Sequence, residues 1–414
     1  MKKKVISLIL AASLCCGLLA GCQSSQLRSY KEEQTGESAQ TSTAAAVTDY
    51  SDCAAYYDAD EVMLTIDGID VSWEELFYWY VYDVSGLEQY FGKITDWKAE
   101  CAADETKTNE EYVMGTALDT ITHYCAVEAE AKEKGVALTE EDKEILQANW
   151  KQNVQNYGNG DEEAFIEYLK KAYLSKELYD RINEVSLLHN RLLETMYGAD
   201  GEKLTQEQVL NEAKKLDYVR AKNLLITNKD DAGDTLTGDA LNEKKALADK
   251  LAAELQGITD PSALQKRFDE LVAQYGGDGG TAYYPDGYTF IPGEGTMDAD
   301  FESAVTALGE NQVSGVVETH YGYHIILRLP LSTEATVEIG SDNSAKKLSY
   351  YVAQSLFDEE TETWAKNAKV DYSKTYKKMK LSKVFKKAKT AGSDTETPAA
   401  ASETLPEASA QTNK

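Results

Sequence analysis

The sequence predicts an α+β fold, with a mainly helical domain assembled from the N- and C-terminal segments and an α/β domain inserted between them. Two observations carry this. Apolar residues recur at helical spacing through much of 72–215 and again through 344–368. Between those regions, β-branched and aromatic runs bounded by turn residues take over, first at 218–226 and then in the stretch from Met297 to Leu329.

The first segment is a leader and stays outside the fold. Lys2, Lys3 and Lys4 precede an apolar run from Val5 to Leu18, and Leu19-Ala20-Gly21-Cys22 matches a lipobox. That run is shorter than the ~20 residues a spanning helix needs. The expectation is a lipoprotein signal peptide over 1–21, cleavage before Cys22, and lipid on the Cys22 sulfur, with anchoring by more than one acyl chain. Such a protein sits on the extracytoplasmic face of the bacterial cell membrane.

The 414 residues carry a formal charge of −29, and loss of the three leader lysines leaves −32. A surface that acidic repels nucleic acid and anionic lipid. No nucleic-acid partner is expected, and the acyl anchor is the expected contact with the membrane. Of the six cysteines, Cys53, Cys101 and Cys125 remain beside Cys22 after cleavage, too widely spaced for a zinc knuckle. They read as buried or spare thiols. One disulfide stays open, with no pair singled out.

Residues 22–57 are rich in Ser, Thr, Ala, Gln and Glu with few large aliphatics, so a disordered tether is expected. Val62 to Ile66 alternates like a strand, Asp67-Gly68 signals a hairpin turn, and Ile69-Asp70-Val71 answers it. Ser72 with Glu75 starts a helix carrying Leu76, Tyr80, Val84 and Leu87 on one side. Further helices are expected at Asn109–Lys134, Glu140–Asn153, Glu162–Tyr173 and Lys176–Met196, with Thr139/Asp142 and Thr205/Gln208 as start signals. Residues 58–215 thus read as one helical domain. Tyrosines at 78, 80, 82 and 90 fit either an adaptable binding surface or a partly exposed aromatic helix face. His123 and His189 lack a partner at i+4 and read as structural, so neither a metal nor a cofactor is expected.

Over 216–331 the pattern changes. Tyr218 to Ile226 reads as a strand, 228–234 as an acidic loop, and Leu241–Leu255 and Pro261–Gln274 as helices. Gly276-Gly277-Asp278-Gly279-Gly280 lacks the Lys-Ser/Thr of a phosphate loop and reads as a flexible connection. Phe301, Val305 and Leu308 form a helical face stopped by Gly309; Val313, Val316 and Val317 make a strand, Tyr321-Gly322 a turn, and His324 to Leu327 a buried strand. The order is β-α-α-loop-α-β-β. Within 332–385, Ser332–Gly340 is a link, Ser344–Ala368 a helix returning to the N-terminal helices, and Val370–Leu381 a pairing strand; 386–414 is expected to be a disordered tail.

Met297 and Phe301, then Ala304 and Leu308, then Val313-Ser314-Gly315-Val316-Val317, then Gly322-Tyr323-His324-Ile325-Ile326 resemble, in order and with short gaps, the C-terminal half of a parvulin-type peptidyl-prolyl isomerase domain, which is FKBP-like in fold. With its lipoprotein start and flanking helices, the whole chain is similar to the PrsA-like extracytoplasmic foldase lipoproteins, which carry a SurA-like helical N-terminal region. The resemblance implies a chaperone role for the helical domain and an isomerase role for the insert, acting on unfolded or partly folded secreted polypeptides that contain proline. It sets no oligomeric state.

Carried over residue by residue, the resemblance implies a proline-ring pocket at Met297 and Phe301, rimmed by Tyr288 and Phe290. His324 matches the second histidine of the family's polar site, Thr319 a nearby hydroxyl, and Asp278 the Cys/Asp position; Tyr321 stands where some members have Ser. Asn223 departs from the pattern, standing where the first histidine belongs. Its amide can hold one tautomer of His324 but carries no charge, so weakened isomerase activity is expected. The rival readings are a catalytically inactive holdase with the same fold, favoured by Asn223, and a solute-binding lipoprotein, which would show repeated βα units that this sequence lacks.

Overall fold

The computed structural model describes residues 48–230, 232–339 and 345–390. The leader, Cys22 and most of the tether and tail expectations fall outside these residues. In chain order the first part holds β1 (Thr48–Asp49), α1 (Ser51–Ala54), β2 (Val62–Ile66), β3 (Ile69–Ser72), α2 (Trp73–Phe91), β4 (Glu100–Cys101), β5 (Asp104–Thr108), α3 (Asn109–Lys134), α4 (Glu140–Tyr157), α5 (Glu162–Lys171), α6 (Lys176–Tyr197) and α7 (Gln206–Lys215). The second part holds β6 (Val219–Thr227), α8 (Gly238–Gln256), α9 (Pro261–Tyr275), β7 (Tyr288–Phe290), α10 (Ala299–Ala307), β8 (Val317–Thr319), β9 (Gly322–Leu329), β10 (Thr336–Ile339), β11 (Ala345–Lys347), α11 (Leu348–Asn367), β12 (Val370–Tyr372), α12 (Lys374–Lys378), α13 (Leu381–Val384) and β13 (Lys389–Thr390).

Helix starts follow from side chains that satisfy orphan amides. Ser72 accepts from the Glu75 N–H, Thr139 and Asp142 exchange bonds, and Thr205 with Gln208 forms a full capping box. Contacts divide the described chain into two compact units, one of residues 123–149 and 181–368, the other of 48–122, 150–180 and 369–390. The division runs through α3, α4 and α6.

In the first unit, a four-stranded antiparallel sheet has the order β7-β6-β9-β8. Alternation along the strands gives it two apolar faces. Leu224, Ile226, Tyr323, Ile325 and Leu327 pack against Leu251 and Leu255 of α8 and Phe268 and Leu271 of α9. Val219, Ala221 and Ile326, on the other face, meet Phe290, Phe301 and Val305. A fully buried side chain such as Phe268 contributes about 2–3 kcal/mol. Beyond the sheet, α11 buries Phe357 among Val127, Ala131, Val185 and Leu192, and Leu348 and Val352 among Val209 and Ala213. His189 packs edge-on to Phe357 with ring centroids 4.7 Å apart, and His123 Nε2 lies 3.2 Å from Glu362 Oε1. Both histidines have structural surroundings.

The second unit holds the three-stranded sheet β12-β2-β3, in which Val370 pairs with Ile66 and Tyr372 with Leu64. Asp67 and Gly68 turn the β2–β3 hairpin with φ of 50° and 83°, the left-handed pair that a two-residue turn demands. Tyr78 and Tyr80 are buried while Tyr82 is exposed, so that tyrosine cluster is mainly core rather than a binding surface. Cys53, Cys101 and Cys125 are buried, and no two of them form a disulfide with each other.

Several expectations need correction. The loop between α9 and α10 contains a strand, β7, too short at three residues to show a period. The link 332–340 is half of a β10–β11 hairpin. Val313 to Val316 touches β9 by one bridge, Val313 to Leu327, because Ser314 bonds Ile326 through both its backbone and its hydroxyl; regular pairing starts at Val317. The tether and tail expectations fail at 48–57 and 386–390. There β1 pairs with β13, and Tyr50 packs against Phe385 at 5.5 Å. A few large residues secure these ends, and averaged composition hides them.

Candidate active site

Asn223 on β6 lies opposite Ile326 on β9, and His324 lies opposite Leu225. Both side chains project from the face that carries Phe301, as diagonal neighbours across two adjacent strands. His324 Nδ1 is 3.0 Å from Asn223 Oδ1, and both residues are buried. The Asn223 amide nitrogen donates to Asp278 Oδ2 at 2.8 Å, which leaves the amide oxygen to accept from His324. Nδ1 therefore carries the ring proton. The bare Nε2 accepts from the Thr319 hydroxyl at 2.8 Å, and Thr319 in turn accepts from the Tyr321 N–H at 3.1 Å.

The bonds run one way and end on the Asp278 carboxylate. Asp278 receives a second donor, the Tyr288 hydroxyl, at 2.8 Å on the same oxygen, and the Gly280 N–H at 2.9 Å on the other. Gly280 is a steric requirement, since a Cβ there would lie 2.1 Å from the Tyr288 hydroxyl. The glycine-rich loop is thus anchored, with Gly277 N–H bonded to the Leu225 carbonyl at 2.8 Å and Asp278 capping a 3-10 turn at Gly279–Ala282.

Burial pushes His324 below the usual imidazole value, against the opposing pull of Asp278 and Asp298. The ring is neutral near pH 7, as the bonding direction requires. Burial, reinforced by the bond to Asp278, pushes the Tyr288 phenol well above its ordinary range, so it stays a donor.

The apolar part adjoins this chain. The Phe301 ring stands edge-on to His324 at 5.9 Å and meets Phe290 at 6.2 Å, while half-buried Met297 packs on the same cluster. Phe290 and Phe301 are only 3% and 4% exposed, so Phe290 belongs to the floor and not to the rim expected for it.

Tyr321, expected in the polar set, joins it only through its backbone N–H. The residue is 51% exposed, and its ring centroid lies 3.7 Å from that of His320, whose Nδ1 is 3.3 Å from Asp298. Two contributions were missed. The first is the Tyr288 hydroxyl, expected to rim the ring pocket and found on Asp278. The second is Glu302, buried on α10, whose carboxylate accepts from the Gly293 N–H at 2.7 Å and the Met297 N–H at 3.1 Å. The signal for Glu302 was a carboxylate in the first turn of a helix after a glycine-rich loop, where free amides gather.

Residues 205–328 match the family described as the PPIC-type PPIase domain. The foldase protein PrsA of Staphylococcus aureus (strain bovine RF122 / ET3-1) is 26% identical over 237 residues, covering 55% of this chain and 69% of that protein. The crystal structure of peptidylprolyl isomerase (PrsA) from Bacillus cereus aligns over 80% of this chain and 98% of its own at 15% identity, with a TM-score of 0.29. That of PrsA from Bacillus subtilis aligns over 74% and 91% at 18% identity, with a TM-score of 0.22. Scores this low add nothing to the fold, which stands on strand order and register.

Proposed function

Since this chain carries a PPIC-type PPIase domain and is homologous to the PrsA foldases, we propose that it is an extracytoplasmic foldase, anchored through lipid on Cys22, that isomerises prolyl bonds slowly while its helical domain holds unfolded secreted chains. In this reading 58–215 with 332–385 form the chaperone domain and 216–331 the isomerase. The observation that carries it is the one-way hydrogen-bond chain from Thr319 through His324 and Asn223 to Asp278, set against Phe301 and Met297.

The reaction is rotation about an amide C–N bond with a barrier of roughly 18–20 kcal/mol, and it needs no covalent intermediate. A site lowers that barrier by favouring the twisted amide over the planar one. Met297 and Phe301 offer an apolar seat for the proline ring and take water from its carbonyl. The polar floor presents fixed dipoles where charge redistributes as conjugation is lost. Asn223 keeps the geometry of the floor but supplies no charge, so slow catalysis is the expected consequence.

The holdase reading keeps support from the same residue and from the burial of Phe290 and Phe301. A protease-coupled prolyl isomerisation assay on the soluble chain, run beside a client aggregation assay, separates the two. Isomerase activity that His324→Ala removes while aggregation suppression persists supports the proposal; suppression without any isomerase activity favours the holdase.

A further inference from the structure

Charge on this acidic protein is unevenly spread. Between Lys374 and Lys389 there are eight lysines and no acid. All eight are exposed, and Lys374, Lys377, Lys378, Lys380, Lys383 and Lys386 have no ion-pair partner among the described residues. Lys389 pairs with Asp52, and Lys387 lies 4.8 Å over the Tyr56 ring.

The segment is not a loose basic tail. Tyr376, Met379, Leu381, Val384 and Phe385 are buried, and Phe385 packs on Tyr50, Phe77 and Trp97 at 5.5, 6.0 and 5.0 Å. Backbone and hydroxyl bonds tie it further, from Thr375 to Glu61 and from the Leu381 N–H to Glu110, both at 2.6 Å. With the apolar residues turned inward, the lysines are held outward. Five carboxylates lie close to the segment: Glu61 on Thr375, Glu110 on Leu381, Asp52 on Lys389, Asp49 near Lys389, and Asp371 paired with Lys369.

The C-terminal end of the segment also lies beside the first of the described residues, because Thr48 pairs with Thr390 and Asp49 with Lys389. If 22–47 behaves as the tether expected from its composition, the root-mean-square span from Cys22 to that point would be about 30 Å. An acyl anchor on Cys22 would hold the lysines close to the bilayer surface, where the attraction acts over a Debye length of roughly 8 Å.

We propose that the face formed by Lys374 to Lys389 docks on an anionic lipid bilayer and orients the protein, whose remaining surface the same bilayer repels. The choice of lipid over another polyanion rests on the reading of Cys22 as the anchor; the lysine face itself does not. The expectation that anionic lipid is not a direct partner followed from the net charge alone, which conceals a local excess of opposite sign.

The test uses the chain from Gln23 onward, which lacks both leader and anchor, so its outcome is independent of whether Cys22 carries lipid. Cosedimentation is measured with vesicles of phosphatidylcholine containing about 30 mol% phosphatidylglycerol and with phosphatidylcholine alone. The chain should bind only the anionic vesicles and should be released by roughly 0.5 M salt. Changing Lys374, Lys377, Lys378, Lys383 and Lys386 together to Gln should weaken binding by well over 100-fold, at about fivefold per lysine, with unchanged thermal unfolding. The matching Arg set should bind like wild type. Equal binding by the Gln set, or no binding by wild type, overturns the proposal. Binding to soluble poly(glycerol phosphate) but not to vesicles overturns the lipid assignment in favour of a polymer partner.

Discussion

The amide oxygen of Asn223 accepts the Nδ1 proton of His324 at 3.0 Å across adjacent antiparallel strands. With the amide nitrogen of Asn223 committed to Asp278, this bond sets the tautomer of the ring and leaves Nε2 to accept from Thr319. Asn223→Leu removes both ends of the relay, leaving the His324 Nδ1–H and one acceptor position on Asp278 unanswered. A loss of about 2–4 kcal/mol is expected, read by urea denaturation, with His324 ring 15N shifts moving toward a mixture of tautomers.

The histidine should also make stability depend on pH. Because burial lowers the folded-state value of His324, the unfolded chain takes up the proton first as pH falls. The stability due to neutral His324 is complete above about pH 6.5 and is lost as pH drops from there toward the lower folded value. His189 shifts in the same direction through burial, so the comparison must be with His324→Gln. Denaturation midpoints between pH 7.5 and 5 should fall less steeply in that variant than in wild type.

The Tyr288 hydroxyl reaches the polar chain through Asp278. Tyr288→Phe leaves the apolar contact and removes one donor, at a cost of about 1–3 kcal/mol. The less compensated carboxylate should raise the His324 pKa, visible in an NMR titration, and the isomerisation rate should fall with peptide affinity nearly unchanged. Gly280→Ala, which displaces the same hydroxyl, should reproduce both effects. An unmoved His324 titration in both variants would reduce Tyr288 to a wall of the pocket.

Glu302 governs the other half of the site. Glu302→Ala frees the Gly293 and Met297 amides and should loosen Met297 over Phe301. Weaker binding of prolyl peptides, by about tenfold, is expected, with the His324 titration unchanged. Peptide affinity equal to wild type would show that the loop needs no clasp.

Much of this was legible in advance where local chemistry is strong. The caps at Ser72, Thr139 and Thr205, the Asp67-Gly68 turn and the alternation through 219–227 and 322–329 each report on their neighbours, so the elements followed. Residues joined by few long-range contacts did not. Strand β7 is three residues long, β1 and β13 are two each, and their partners are distant in sequence. Within the site, Asn223, Asp278, Thr319 and His324 came from motif positions, and the structure brings them into one chain of bonds. The hydroxyl of Tyr288 and the carboxylate of Glu302 act through loop amides and loop reach, which no periodicity encodes. Tyr321 failed for a related reason: a turn decides side-chain direction, and this turn sends the ring to solvent.

We propose that the inserted domain is a working but slow prolyl isomerase whose rate Asn223 limits. It is tested most directly by NMR exchange measurement of cis–trans interconversion in a proline peptide with wild type, Asn223→His and His324→Ala. Wild type should exceed the uncatalysed rate modestly, Asn223→His should be faster by about tenfold or more at similar peptide affinity, and His324→Ala should be inert. A wild type that is already fast and that Asn223→His slows would contradict the account.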